Sequence, residues 1–135
     1  MSNDELVDRF FAALVAGDSD ALRDVYAPDA TIWHNTGGMS EEFSNQSAED
    51  NVVMNAMIAK LMPGHRFDHV RRGHVEEGVF QLTVLRGELA GQPVEHHMAI
   101  WIKIEGGRIT RIEEYFDSVT AAPVIDAVTA ALADS

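Results

Sequence analysis

Apolar residues recur at helical spacing near the start of the chain: Leu6, Val7, Phe10, Phe11, Leu14 and Val15. The pattern predicts a helix from Asn3 to Ala16. Ser2 and Glu5 stand as a capping-box pair before it, and Gly17 suits the left-handed position after it. A short helix opened by Asp18 or Ser19 carries Leu22, Val25 and Tyr26, and Pro28-Asp29 turns the chain. Ala30 to Asn35 reads as a short strand broken by Gly37-Gly38. From Thr36 to Gln46 apolar periodicity is lost, and this stretch is expected to be a mobile loop beside a pocket mouth. A longer helix starts near Ser47, with Asp50 in the capping-box position. It carries Val52, Val53, Met54, Met57, Ile58, Leu61 and Met62 and stops at Pro63-Gly64.

Four strand patterns follow: His65 to Gly73, Val79 to Leu89, Val94 to Ile104 and Arg108 to Asp117. Gly78, Gly91-Gln92-Pro93 and Gly106-Gly107 separate them as hairpin turns. A last helix is expected from Pro123 to Ala133, with Val124, Ile125, Val128 and Leu132 on one side. Helices first and an antiparallel meander afterwards indicate an α+β fold. A curved antiparallel sheet with helices packed on one face makes a cone, whose open end is a natural small-molecule pocket. Residues 1–135 are expected to form one domain, with 118–135 as a C-terminal helical extension.

Length and composition fit that picture. The 135 residues, 46% of them hydrophobic, can bury one core. A formal charge of −12 repels a phosphate backbone and argues against nucleic-acid binding. No stretch is long and apolar enough to span a membrane, and no signal-peptide pattern opens the chain. The lack of Cys rules out disulfides and thiolate metal sites and fits a cytoplasmic protein. The six His residues show no ligand spacing. His96 and His97, adjacent on a strand, face opposite ways. No metal and no other cofactor is expected. His97 is the histidine expected to face the pocket; His34, His65, His69 and His74 are expected at the surface or rim.

The strongest chemical signal is a carboxylate at the end of the last strand. In Arg108-Ile109-Thr110-Arg111-Ile112-Glu113-Glu114-Tyr115-Phe116-Asp117, strand parity puts Tyr115 and Asp117 on one face. A carboxylate against apolar pocket walls is costly unless it is used. In Ile32-Trp33-His34-Asn35, Trp33 and Asn35 share a face. Asn35 can orient a water or a carbonyl. Trp33, Met54, Met57 and Met98 can supply apolar walls.

The segments Tyr26-Ala27-Pro28-Asp29-Ala30-Thr31-Ile32-Trp33-His34-Asn35 and Gly106-Gly107-Arg108-Ile109-Thr110-Arg111-Ile112-Glu113-Glu114-Tyr115-Phe116-Asp117, set in this element order, resemble the SnoaL-like branch of the nuclear-transport-factor-2-like superfamily. That superfamily also holds ketosteroid isomerases, limonene-epoxide hydrolases and scytalone dehydratases. The resemblance implies that Asp117 is the pocket acid or base. It also implies that Asn35, in an aromatic-x-Asn pattern, holds water. The epoxide hydrolases add an Arg-x-Asp pair; Arg86 and Glu88 have that spacing but sit late in their strand. The Tyr and protonated Asp of ketosteroid isomerases have no clear counterpart here.

The expectation is cofactor-independent acid–base catalysis of the isomerase or polyketide-cyclase type on a small apolar organic molecule. Epoxide hydrolysis and non-catalytic binding are the alternatives. Asp117 and Asn35 are the expected catalytic residues; Trp33, Tyr115, His97, Arg86, Met54 and Met57 are expected to line the pocket. A homodimer is expected through an apolar sheet face carrying Leu82, Val84, Ile100 and Ile102, as the resemblance also implies.

Overall fold

The computed structural model describes residues 1–35 and 45–135. In chain order it contains α1 (Asn3–Ala16), α2 (Ser19–Val25), β1 (Tyr26–His34), β2 (Asn45–Ser47), α3 (Ala48–Leu61), β3 (Arg66–Val75), β4 (Gly78–Leu89), β5 (Gln92–Glu105), β6 (Arg108–Phe116) and α4 (Ser118–Ala133). The strands form one curved six-stranded sheet in the order β2-β1-β6-β5-β4-β3. The fold is α+β. The expected loop from Thr36 to Gln46 lies outside the described residues up to Ser44, and its last two residues belong to β2.

The helix ends follow the local chemistry. The Ser2 hydroxyl accepts the Glu5 N–H at 3.1 Å, and Gly17 closes α1 at φ 64 with its N–H on the Ala13 and Leu14 carbonyls. Asp18 caps α2, and Ser47 caps α3. Arg72 of β3 ties the start of α1 to the sheet. Its guanidinium donates to Asp4 at 3.1 Å, Asp8 at 2.8 Å and Gln81 at 2.8 Å.

The sheet departs from a plain meander at one pairing. β3 to β6 run antiparallel in sequence, but β1 lies parallel to β6, with His34 beside Glu114 and Ile32 beside Ile112. β1 also starts earlier than expected. Pro28-Asp29 does not end in a turn but sits within the strand, where the register shifts between Tyr26 and Thr31.

One sheet face is covered by the helices. It carries Ile32 from β1, Ile112 from β6, Ile100 and Ile102 from β5, and Val79 from β4, all buried with Leu6, Val7 and Phe10 of α1. A second cluster joins Met54 and Met62 to Val124 and Val128 of α4. Ile100 and Ile102 therefore belong to the covered core, which corrects their expected place on an open face. Leu82 is exposed on the other face, whereas Val84 is buried. Gly78 is needed for packing: a Cβ there would meet the Ile102 carbonyl oxygen at 1.9 Å.

The last helix begins five residues before the expected Pro123, because Asp117 is its N-cap. The Asp117 Oδ1 accepts the Val119 N–H at 2.9 Å, and the Thr120 hydroxyl donates to the Asp117 carbonyl at 3.2 Å. Asp117→Ala is expected to lower stability by about 1 kcal/mol, and Asp117→Asn, an equally good cap, by less than about 0.5 kcal/mol. Urea unfolding of the variants measures this; equal losses in both would show that the cap is not what Asp117 contributes.

Candidate functional site

The inward face of the sheet follows from its apolar residues. Strand side chains alternate. With Ile32, Ile100 and Ile112 buried, the same face must carry His34, Met98 and His96, and Glu114 and Phe116. These residues meet α1, α3 and α4 around a cavity of about 70 Å³, counted as room for the centres of water-sized molecules. Its walls are mostly apolar and include Phe10, Phe11, Met54, Phe67, Leu85 and Ile125.

Two polar arrangements stand in that apolar setting. His34 and Glu114 are paired residues of the parallel strands, and His34 Nε2 lies 3.1 Å from Glu114 Oε2. An ionised carboxylate can only accept, so Nε2 carries the hydrogen and donates. The His34 side chain is 3% exposed and that of Glu114 18%. His96 is the second arrangement. It is 6% exposed, and neither ring nitrogen has a hydrogen-bond partner among the described residues. Its ring meets Phe116 edge-on at 4.9 Å, and Phe116 is also in ring contact with His34 at 6.1 Å.

Burial pushes the His96 pKa below the ordinary imidazole value, while the negative charges of Glu114 and Asp117 pull it back up and His97 pushes it down. His96 is thus held neutral near pH 7, with one N–H to give and one lone pair to accept.

Asn35 holds the dyad in place from just beyond β1. Its Nδ2 donates to the Phe116 carbonyl at 3.1 Å, its Oδ1 accepts the Phe116 N–H at 3.0 Å, and its own N–H donates to the Glu114 carbonyl at 3.1 Å. The side chain thus continues the β1–β6 ladder where the strand backbone stops. Each such bond contributes about 1 kcal/mol. A buried polar chain braces the neighbouring elements: the Tyr26 hydroxyl donates to Asn51 Oδ1 at 2.6 Å, and Asn51 Nδ2 donates to Gln46 Oε1 at 3.0 Å. Burial drives the Tyr26 pKa well upward, so the phenol stays protonated and can donate. Asn55 of α3 lines the cavity and donates to the Asn51 carbonyl at 2.9 Å.

The expected site residues fall elsewhere, with one exception among those named for the site. Asp117 is exposed at the α4 cap and Asn35 is spent on the strand backbone, so neither lines the cavity. Trp33 and Tyr115 meet on the opposite face, their rings tilted by 59° with centroids 5.3 Å apart. Tyr115 lies on the face away from the helices, whereas Asp117 lies just past β6 with its side chain on the first turn of α4. His97 is exposed near Glu95, and its neighbour His96 faces inward. Arg86 donates to Asp68 at 2.9 Å and to Glu95 at 2.7 Å in a surface network. Met57 packs in the second cluster beside the cavity lining. Met54 does line the cavity, as does Met98. His34 and His65 are buried, not at the rim; His65 Nδ1 lies 3.1 Å from the Met62 carbonyl. The missed residues His34, His96 and Glu114 carry one legible signal: each lies an even number of residues from an Ile on its own strand. Among the described residues no group of three His, Asp or Glu side chains is placed to hold a metal ion. No helix among them is long and apolar enough to cross a membrane.

His96 makes a stability prediction with a definite sign. Its folded pKa is depressed, so the unfolded chain binds more protons as pH falls below about 6.5, and stability is lost there. His65, also depressed by burial, acts in the same direction. His96→Phe keeps a ring and removes two buried nitrogens that have no partner among the described residues. It is expected to raise stability at pH 7.5 by about 1 to 3 kcal/mol, with a gap over the parent that widens towards pH 5. Urea midpoints across that range check this; a less stable variant with the parental pH slope would refute it.

Residues 7–112 match the family described as the SnoaL-like domain. No curated protein matches the sequence significantly. Among solved structures, the wild-type IdmH of Streptomyces antibioticus, a proposed polyketide cyclase, is 20% identical; the match covers 93% of this chain and 99% of that one at a TM-score of 0.76. PrhC from Penicillium brasilianum NBRC 6234 is 13% identical, with 97% and 90% covered and a TM-score of 0.79. An M. tuberculosis LEH-like epoxide hydrolase is 17% identical, with 97% and 95% covered and a TM-score of 0.71. At these identities the structural likeness establishes the fold, and the sequence match establishes the family: the chain belongs to the SnoaL-like domain family.

Proposed function

We propose that this protein carries out acid–base catalysis, without a cofactor, on a small, mostly apolar carbonyl compound, leading to isomerisation or aldol-type cyclisation. The observation that carries this reading is a paired carboxylate, Glu114 on His34, sharing an apolar cavity with His96, which is neutral and has no hydrogen-bond partner among the described residues. In this reading Glu114 takes a proton from the carbon next to the carbonyl. The C–H electron pair moves into the new carbon–carbon double bond, and the carbonyl pair moves onto oxygen. His96 donates its ring N–H to that oxyanion, and being neutral it does so without giving up its proton. His34 holds the Glu114 carboxylate in one orientation. Where a carbon–carbon double bond extends the enolate, Glu114 returns the proton at the far carbon; in cyclisation the enolate carbon attacks a second carbonyl, and Glu114 returns the proton to the alkoxide that forms. The proposed polyketide cyclase among the structural neighbours supports this class of chemistry. Epoxide opening is less well supported, because Arg86 is engaged by Asp68 and Glu95 outside the cavity lining.

Initial rates on panels of enolisable ketones and of epoxides test this. Glu114→Gln is expected to lower ketone turnover about 10²- to 10⁴-fold, and His96→Phe to lower it as well, with circular dichroism unchanged. Asp117→Asn is expected to stay near the parental rate. Loss in Asp117→Asn with retention in Glu114→Gln would restore Asp117 as the base and overturn the assignment. Activity confined to the epoxide panel would favour the hydrolase, and tight ligand binding without turnover a binding module.

We also infer that the protein is a homodimer through the uncovered sheet face. Phe80, Leu82 and Tyr115 are 38%, 37% and 46% exposed there. The ladder sets Phe80 beside Trp101 and Ala99 beside Tyr115, and the Trp33 ring meets Tyr115, so the apolar side chains adjoin. Such a patch favours self-association. Light scattering at micromolar concentration is expected to give twice the chain mass; a monomer mass would refute the dimer.

A further inference from the structure

We propose that α4 is the size-selecting wall of the cavity and that Ile125 sets the length of ligand admitted. This rests on the reading of the cavity as the substrate site and adds to it a separation of chemistry from size. The ionisable groups come from β1, β5 and β6 and an amide, Asn55, from α3; the family match ends at Ile112, two residues before Glu114. α4 lies wholly beyond that match, yet Val124, Ile125 and Val128 close one side of the cavity. These positions, one and four apart, form a single helical face. None carries a polar group, so this wall can act only through shape and apolar contact.

Two features make α4 a separable wall. It belongs to the second cluster with Met54 and Met62, apart from the main core under α1. Its first turn is held by the Asp117 cap, while Pro123 inside the helix offers no N–H to the Val119 carbonyl four residues back. Within the wall the residues differ in duty. Val124 and Val128 are buried members of the second cluster, so shortening them weakens packing as well as enlarging the cavity. Ile125 is half-buried, lines the cavity and lies outside both clusters. Its size can change with little cost to the fold.

The test uses the straight-chain 2-alkanones from butanone to decanone, titrated into the full chain by calorimetry. Affinity is expected to rise roughly fourfold per added methylene while the chain is buried, then to stop rising at a limiting length. In Ile125→Ala that limit is expected to move out by one or more carbons, and in Ile125→Phe to move in. Asp126→Ala, on the exposed side of α4, should leave it in place. His96→Phe should weaken every member of the series alike without moving the limit. An unchanged limit in both Ile125 variants, with binding intact, would overturn the size role of α4 and leave the catalytic reading standing. No 2-alkanone bound by the parent would overturn the carbonyl-compound reading, and the size inference with it.

Discussion

The site depends on the parallel pairing of β1 with β6. It places His34 and Glu114 as neighbours on the helix-covered face, and the antiparallel β5–β6 register then brings Met98 opposite Phe116, with His96 two residues further along. Strand side chains have a period of two, so a slip of one residue would exchange every partner. Trp33, Glu113 and Asp117 would turn inward and the histidines outward. Asn35 guards against that slip where the β1 backbone ends, because its side chain supplies a donor and an acceptor to Phe116 in place of the next peptide unit.

The cavity interrupts the apolar core. Protein interiors leave few polar atoms unsatisfied, yet both nitrogens of His96 are buried without a partner among the described residues. Next to it the His34–Glu114 pair is largely withdrawn from water, and losing either partner would leave the other without this hydrogen bond. These features work against stability, and the surrounding structure sustains them. The apolar cluster under α1, the Arg72 links to Asp4 and Asp8, and the Tyr26–Asn51–Gln46 chain hold the neighbouring elements in place. Local exceptions to good packing gathered at one point are what a functional site looks like in physical terms.

The two faces of the sheet divide the remaining work. The inner face holds the cavity; the outer face gathers Phe80, Leu82, Trp101, Trp33 and Tyr115. Aromatic residues read from the sequence as pocket walls thus lie where a second surface could cover them, while the cavity draws its aromatic rings from Phe10, Phe11, Phe67 and Phe116.

The sequence by itself determined the ends of the first helix, the start of α3, the hairpins and the α+β class. Each depends on contacts within a few residues: Ser2 on Glu5, Ser47 on Asp50, Gly17 after α1, and the glycine turns between strands. The family was legible too, because its motifs run along single strands. The inward face of β1 and β6 was not. Parity tied Tyr115 to Asp117 and Trp33 to Asn35, but the choice of face rests on which side α1 and α3 cover, a long-range matter. Asp117 reads equally well as a strand-end acid and as a helix cap, and only the start of α4 at Ser118 decides between them. His34, Glu114 and His96 stand on three strands, with Glu114 eighty residues beyond His34 in the chain. The parallel β1–β6 pairing and the β5–β6 hairpin bring them together, and no spacing in the sequence encodes that meeting.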